Sequence, residues 1–151
     1  NDQTRASPAI TSETMSTDLQ TVVDRLAIDD ILTAYATAVD SGSFEDLRGV
    51  FTADARIDYT ATGGIAGSVD EVIAWLETVL PGFTTYCHFL GNRQVSVDGD
   101  AARSRTLCLN PMVAEPNGFL LGIYYNDLWV RGDDGWRIGE RVLETCFQRP
   151  L

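Results

Sequence analysis

Ala101-Ala102-Arg103-Ser104-Arg105-Thr106-Leu107-Cys108-Leu109-Asn110-Pro111-Met112 reads with a period of two, and that period decides the fold. Successive side chains of a strand point to opposite faces. Cys108, Asn110 and Met112 therefore share one face, and Leu107 and Leu109 share the other. The same period governs residues 83–97, with Gly91-Asn92 as a predicted bulge and Asp98-Gly99 as a hairpin turn. Downstream, Pro116-Asn117-Gly118 turns into a strand over 119–131, and Asp133-Asp134-Gly135 turns into another over 136–147. Such a run of strands joined by short turns is an antiparallel meander.

Toward the N-terminus the period changes to that of a helix. Thr17-Asp18-Leu19-Gln20 has the form of a capping box and opens a long helix through Leu19, Val22, Val23, Leu26, Ile31, Tyr35, Ala38 and Val39. That helix has room for one break and ends near Asp40-Ser41-Gly42. Ser43 caps a short second helix with Leu47, Val50 and Phe51 inward. Ala55 to Tyr59 alternates as a strand, and a second capping box, Ser68-Val69-Asp70-Glu71, opens a third helix that Pro81-Gly82 stops. Three helices before a meander predict an α+β fold, in which a long bulged sheet curls and the helices close it into a cone around a pocket. The domain is expected over residues 17–151. Residues 1–16 read as a polar arm, either vector-derived or ordered by a neighbouring subunit.

A chain of 151 residues is long enough to bury a sizeable core. Its net charge of -11 argues against nucleic-acid or anionic-membrane partners, whose phosphates draw affinity from clustered Lys and Arg. Cys87, Cys108 and Cys146 form no Cys-x-x-Cys spacing and read as reduced thiols of a cytoplasmic protein. With one histidine in the chain, a zinc site of the usual His/Cys kind is not expected.

Four segments, Phe51 to Tyr59, His88-Phe89-Leu90-Gly91-Asn92, Tyr125-Asn126-Asp127 and Asp134-Gly135-Trp136-Arg137-Ile138, resemble the SnoaL-like branch of the nuclear transport factor 2-like superfamily. Within it the chain is most similar to the scytalone dehydratase group, and more distantly to ketosteroid isomerases and the small subunits of ring-hydroxylating dioxygenases. The resemblance implies the same cone-shaped fold and an active site built from an Asp closing the first helix, a Tyr ending the first strand, and two histidines. Asp40, Tyr59 and His88 match the first three positions. The second histidine is missing near Asn110 to Met112, and the group's Ser and Asn on the penultimate strand are replaced by Ile123 and Tyr125.

Alternation independently turns Tyr59, Tyr86, His88, Asn110, Met112, Ile123 and Tyr125 toward one interior, a mostly apolar pocket with a few polar tips. His88 suits a general base because imidazole titrates near neutrality and a carboxylate such as Asp40 can orient it. It reads equally as a core histidine bonded to a Tyr hydroxyl or a carbonyl, and Asp40 as a turn residue. Tyr59 and Tyr125 suit oxyanion donors or plain core aromatics. Asn110 is a pocket amide or an end-of-strand turn residue, and Asp127, which can share a strand face with Arg131, reads as a structural ion-pair member rather than a catalyst. The expectation is a cofactor-independent dehydratase or isomerase with catalytic His88, Asp40 and Tyr59, acting on a cyclic or polycyclic apolar ligand that touches Tyr125, Asn110, Tyr86, Met112 and Ile123. The alternative is a binding protein or accessory subunit with the same pocket. Leu107, Leu109, Leu128 and Val130 alternate opposite the pocket set, which predicts a covered outer face and a homodimer or homotrimer.

Overall fold

The computed structural model describes residues 19–151, so the polar arm and the Thr17 end of the first capping box lie outside the described residues. Helix α1, Leu19–Ser41, runs unbroken. It ends as the sequence predicts: Gly42 takes a φ of 74°, its N–H reaches the Val39 carbonyl and that of Ser43 the Ala38 carbonyl. This left-handed close satisfies carbonyls that a helix end leaves open. A 3-10 turn leads into α2, Leu47–Val50, and a longer stretch later forms α3, Val69–Val79, whose Ser68–Glu71 capping box is present in full.

The strands are β1 Phe51–Asp58, β2 Ala66–Gly67, β3 Thr85–Tyr86, β4 Phe89–Asp98, β5 Ala101–Ala114, β6 Asn117–Gly132 and β7 Gly135–Pro150. They form one strongly curled half-barrel sheet in the order β2-β1-β7-β6-β5-β3, with β4 also on β5. The meander from β4 to β7 is antiparallel as predicted, but β1 joins β7 in parallel, which closes one side of the curl. Among the described residues, no helix is long and apolar enough to cross a membrane.

Two features depart from simple periodicity. Leu19, Val22, Val23 and Leu26 are exposed, and the buried stripe of α1 runs through Asp24, Ile28, Leu32, Tyr35 and Val39. The reason is Asp24, which accepts two hydrogen bonds from the Arg131 fork at 2.8 Å each and one from Trp136 Nε1 at 3.1 Å. These charge-assisted bonds rotate a polar residue inward and the neighbouring apolar ones outward. The second feature is the predicted long strand over 83–97, which is broken at Cys87-His88, between β3 and β4, while the bulge at Gly91-Asn92 stands.

Candidate functional site

Helices and the concave face of the sheet enclose a cavity of about 180 Å³. Val39, Leu76, Leu80, Met112, Ile123 and Leu143 make its apolar wall, into which Tyr35, Tyr59, His88, Asn110 and Tyr125 bring polar groups. Apolar walls with a few placed polar tips are the usual make-up of a small-molecule site.

The break between β3 and β4 belongs to this site. The Cys87–His88 peptide has no strand partner for its two polar ends, and side chains take their place. Asn110 Nδ2 donates to the Cys87 carbonyl at 2.6 Å, and the His88 N–H donates to Asp40 Oδ2 at 2.9 Å. The other oxygen of Asp40 meets His88 Nδ1 at 2.6 Å. A carboxylate in the last turn of a helix lies against the macrodipole, which disfavours negative charge there. Here the two His88 N–H groups offset that cost. Asp40 thus spends its oxygens on a residue 48 positions away instead of on its own turn. The His88 ring is almost enclosed, at 8% exposure, while the Asp40 side chain keeps 29% and lies on an outer groove with Thr37, Phe89 and Arg93. The pair therefore spans the cavity wall. Because Nδ1 faces the carboxylate, Nε2 is the ring nitrogen left for another partner.

Across the cavity the hydroxyls of Tyr35 and Tyr59 lie 2.7 Å apart, both buried. One donates to the other, which leaves one O–H of the pair free to donate. Burial, reinforced by the neighbouring Tyr35 oxygen, pushes the Tyr59 hydroxyl well above its ordinary titration range, and burial does the same for Tyr125. Both stay protonated donors near neutrality. The ring of Tyr35 meets those of His88 and Tyr125 edge-on, with centroids 6.1 and 5.6 Å apart, so one helix residue touches each part of the site. Cys108, beneath Tyr125, is fully buried, and that burial pushes its thiol up to about 11.

Behind the tyrosines lies a sealed ion pair. Arg141 Nε and Nη2 donate to the two oxygens of Asp127 at 2.7 and 2.8 Å, and neither side chain is accessible. The guanidinium centre lies 4.2 Å from the ring centroids of both Tyr35 and Tyr125. A cation held against a ring face is attracted by its quadrupole, the more so when desolvated. Burial works against the charge of Arg141, but Asp127 beside it more than compensates and keeps the guanidinium protonated.

The sequence-predicted residues divide as follows. Tyr59, His88, Asn110, Met112, Ile123 and Tyr125 line the cavity, and Asp40 reaches it through His88. Tyr86 is a correction: it is absent from the lining, because its hydroxyl points at the Val39 carbonyl, 3.4 Å away on α1. Asp127 is a structural ion-pair member, as the sequence suggests, with Arg141 as its partner, while Arg131 goes to Asp24. Trp75 also lies on the cavity wall, with its ring 6.2 Å from that of Tyr59. Tyr35 was missed although it stands five residues before Asp40, little more than one turn along the helix. Arg141 was hidden by a bulge: Leu128 pairs with Glu140 and Trp129 with Ile138, so Gly139 is an extra residue that reverses the facing of β7 until a second extra residue, Cys146, restores it. Among the described residues, no group of three or more His, Cys, Asp or Glu side chains could hold a metal ion.

A curled α+β half-barrel closed by helices over one small cavity defines the class. Residues 20–142 match the SnoaL-like domain, and the chain belongs to that family, within the nuclear transport factor 2-like superfamily. It is 47% identical over 133 residues to the uncharacterised protein Rv2910c of Mycobacterium tuberculosis (strain ATCC 25618 / H37Rv), covering 86% of this chain and 90% of that one. Among solved structures it is similar to a protein of Novosphingobium aromaticivorans DSM 12444 named provisionally as a scytalone dehydratase. The TM-score is 0.76 at 22% identity, covering 92% of this chain and 91% of the other. It is similar as well to the hexachlorocyclohexane dehydrochlorinase LinA-type3 of Novosphingobium barchaimii LL02, with a TM-score of 0.78 at 20% identity over 89% and 94%. At these identities the likeness to solved structures is one of fold.

Proposed function

We propose that the protein is a small-molecule enzyme of lyase or isomerase type, and that it moves a proton on a cyclic, largely apolar substrate held in the cavity. The observation that carries this reading is the Asp40–His88 pair at 2.6 Å, set in the wall of an apolar cavity opposite the Tyr35–Tyr59 hydroxyl pair. In this mechanism Asp40 accepts a hydrogen bond from Nδ1–H, so neutral His88 presents the Nε2 lone pair to a carbon beside a carbonyl. The C–H bond breaks, its electron pair moves to the carbonyl oxygen, and the free O–H of the tyrosine pair donates to the oxyanion. The proton on Nε2 then goes either to another carbon, completing an isomerisation, or to a departing hydroxide, completing a dehydration. That two fold neighbours are named for a dehydratase and a dehydrochlorinase agrees with this class.

Volume narrows the substrate. An apolar cavity of roughly 150 Å³ accepts benzene. At about 180 Å³ this one takes a single ring with small substituents, the smallest members of the cyclic class. The test is turnover of single-ring ketones by wild type and by His88→Ala. The variant is expected to lose roughly 10²–10⁴-fold in rate, the worth of a positioned general base, with little change in ligand affinity. Equal rates would overturn the assignment.

One observation favours a second reading, a non-catalytic binding protein or accessory subunit. Asn110 fills the place where the resemblance calls for a second histidine, and an amide cannot serve as a general acid. Under that reading a bound ring is recovered chemically unchanged. In either case we propose a homodimer or homotrimer. Phe89, Leu109, Gly122 and Phe147 fall side by side across β4, β5, β6 and β7 on the convex face, and the Phe147 ring fills the space above Gly122. With Leu128 and Val130 exposed on the same face, a second copy is the natural cover. Sedimentation at micromolar concentration should give a species of two or three chains; a monomer there removes the proposal.

A further inference from the structure

We propose that Asn110 is a specificity residue whose carbonyl oxygen accepts a hydrogen bond from a ligand hydroxyl, so that the ligand is a single ring bearing both a carbonyl and a hydroxyl. The inference rests on the cavity being the ligand site and extends that reading to the substrate class.

An amide side chain has a donor end and an acceptor end, and its partners decide which points where. Asn110 lies 2.6 Å from the Cys87 carbonyl, which only accepts, so the nitrogen must be the end that faces it. Turning the amide over would set two oxygens against each other. The Cys87 carbonyl cannot swing away to allow that, because the N–H of the same peptide is held by Asp40 at 2.9 Å. The arrangement that fixes His88 therefore also fixes the sense of Asn110.

The consequence falls on Oδ1. Asn110 is 5% exposed and lines the cavity, and its oxygen accepts no hydrogen bond from any described residue. The oxygen is open to the cavity, and a ligand that displaces water from it without donating in return leaves the acceptor unpaired, which is costly. In the same cavity the Tyr35–Tyr59 pair offers one free O–H and His88 offers a lone pair for the reacting C–H. A plain cyclic ketone answers the tyrosines and leaves Oδ1 empty. A hydroxyketone answers both ends, its carbonyl taking the tyrosine proton and its hydroxyl donating to Asn110. Discrimination by a site polar group that a wrong ligand leaves unpaired is the strong kind of specificity. Asn110 reads the hydroxyl without supplying a proton to it.

The experiment compares three probes on the wild-type protein: cyclohexanone, 3-hydroxycyclohexanone and 3-methoxycyclohexanone, with dissociation constants taken from ligand-observed NMR. The hydroxyl compound is expected to bind about 3- to 10-fold more tightly than the other two, because only it donates. In Asn110→Ala the preference should vanish, whatever the absolute affinities become. Since the preference is a ratio measured within one protein, general loosening of the variant does not imitate it. Should the variant fail to fold, the wild-type comparison of hydroxyl with methoxyl decides alone. Equal binding of those two overturns the proposal, as does a preference that survives in Asn110→Ala or an absence of binding by all three at millimolar concentration. Hydroxyl-selective binding without conversion of any probe leaves this inference standing and removes the catalytic reading.

Discussion

Two carboxylates in this protein each hold a cationic or basic partner from another element, and they do so under opposite conditions. Asp127 grips Arg141 where neither side chain touches solvent, whereas Asp40 grips His88 with 29% of its own side chain exposed. In the sealed pair the charge state is locked, since Asp127 outweighs the effect of burial and keeps Arg141 charged. That pair can supply a constant field behind Tyr35 and Tyr125 and can hold the β6–β7 layer together, but it cannot exchange protons. The pair in the wall lies on both sides, with His88 lining the cavity and the outer groove and Asp40 the groove, a placement open to proton exchange. Accessibility, more than the chemistry of the partners, separates a structural ion pair from a reactive one here.

The largest expected effect comes from Asp40→Asn. An amide at this position can offer its N–H to Nδ1, which selects the wrong tautomer and turns Nε2 into a donor. Turnover should then fall by up to roughly 10⁴-fold while the melting temperature moves little. A variant that keeps its rate would place Asp40 with the structural pairs and erase the contrast. Next comes Asp127→Ala, which leaves Arg141 buried and unpaired. Urea unfolding should show a loss of about 3–5 kcal/mol, and replacing both residues by apolar ones should restore much of it. If the single variant is as stable as wild type, the sealed pair is not sealed.

A smaller effect is expected at Asp24, which lies between the two extremes, with a side chain 5% exposed against an Arg131 that is 26% exposed. Burial alone would raise its carboxyl, but hydrogen bonds from Trp136, Arg131 and Gln20 outweigh burial and hold it below the usual range. With the folded value below the unfolded one, its contribution is complete above the unfolded value of about 3.9 and is lost as pH falls through the lower folded value. Acid unfolding followed by circular dichroism should therefore begin at higher pH in Asp24→Asn than in wild type. Coincident acid transitions would show that these hydrogen bonds add nothing to stability.

How much of this was legible depended on whether a residue obeyed its element's period. The antiparallel strands, the Gly91-Asn92 bulge and the Ser68–Glu71 cap all follow local rules, and local rules are visible in a sequence. Tyr59 and His88 line the cavity from just beyond the ends of β1 and β3, and Asn110 was placed on the inner face because alternation is undisturbed along β5. Arg141 was not, since one inserted residue at Gly139 reverses its strand, and no neighbouring residue announces the insertion. The break at Cys87-His88 was invisible for a different reason. Its backbone groups are satisfied by Asp40 and Asn110, 48 and 23 positions away in the chain, and such partners have no signature in the segment they interrupt. Asp24 misled the reading of α1 similarly, because its inward turn depends on Arg131, 107 residues distant.

The doubly held Cys87–His88 peptide makes one amide hydrogen a gauge of the whole site. Its protection from solvent deuterium depends on a carboxylate and not on a neighbouring strand, so it should exchange at a rate set by how often Asp40 lets go. A single resonance in a nitrogen-proton spectrum thus reports the integrity of the dyad with no ligand present. Tracked across pH, temperature or added compounds, it would register engagement of the cavity as slower exchange, long before a natural ligand has been identified.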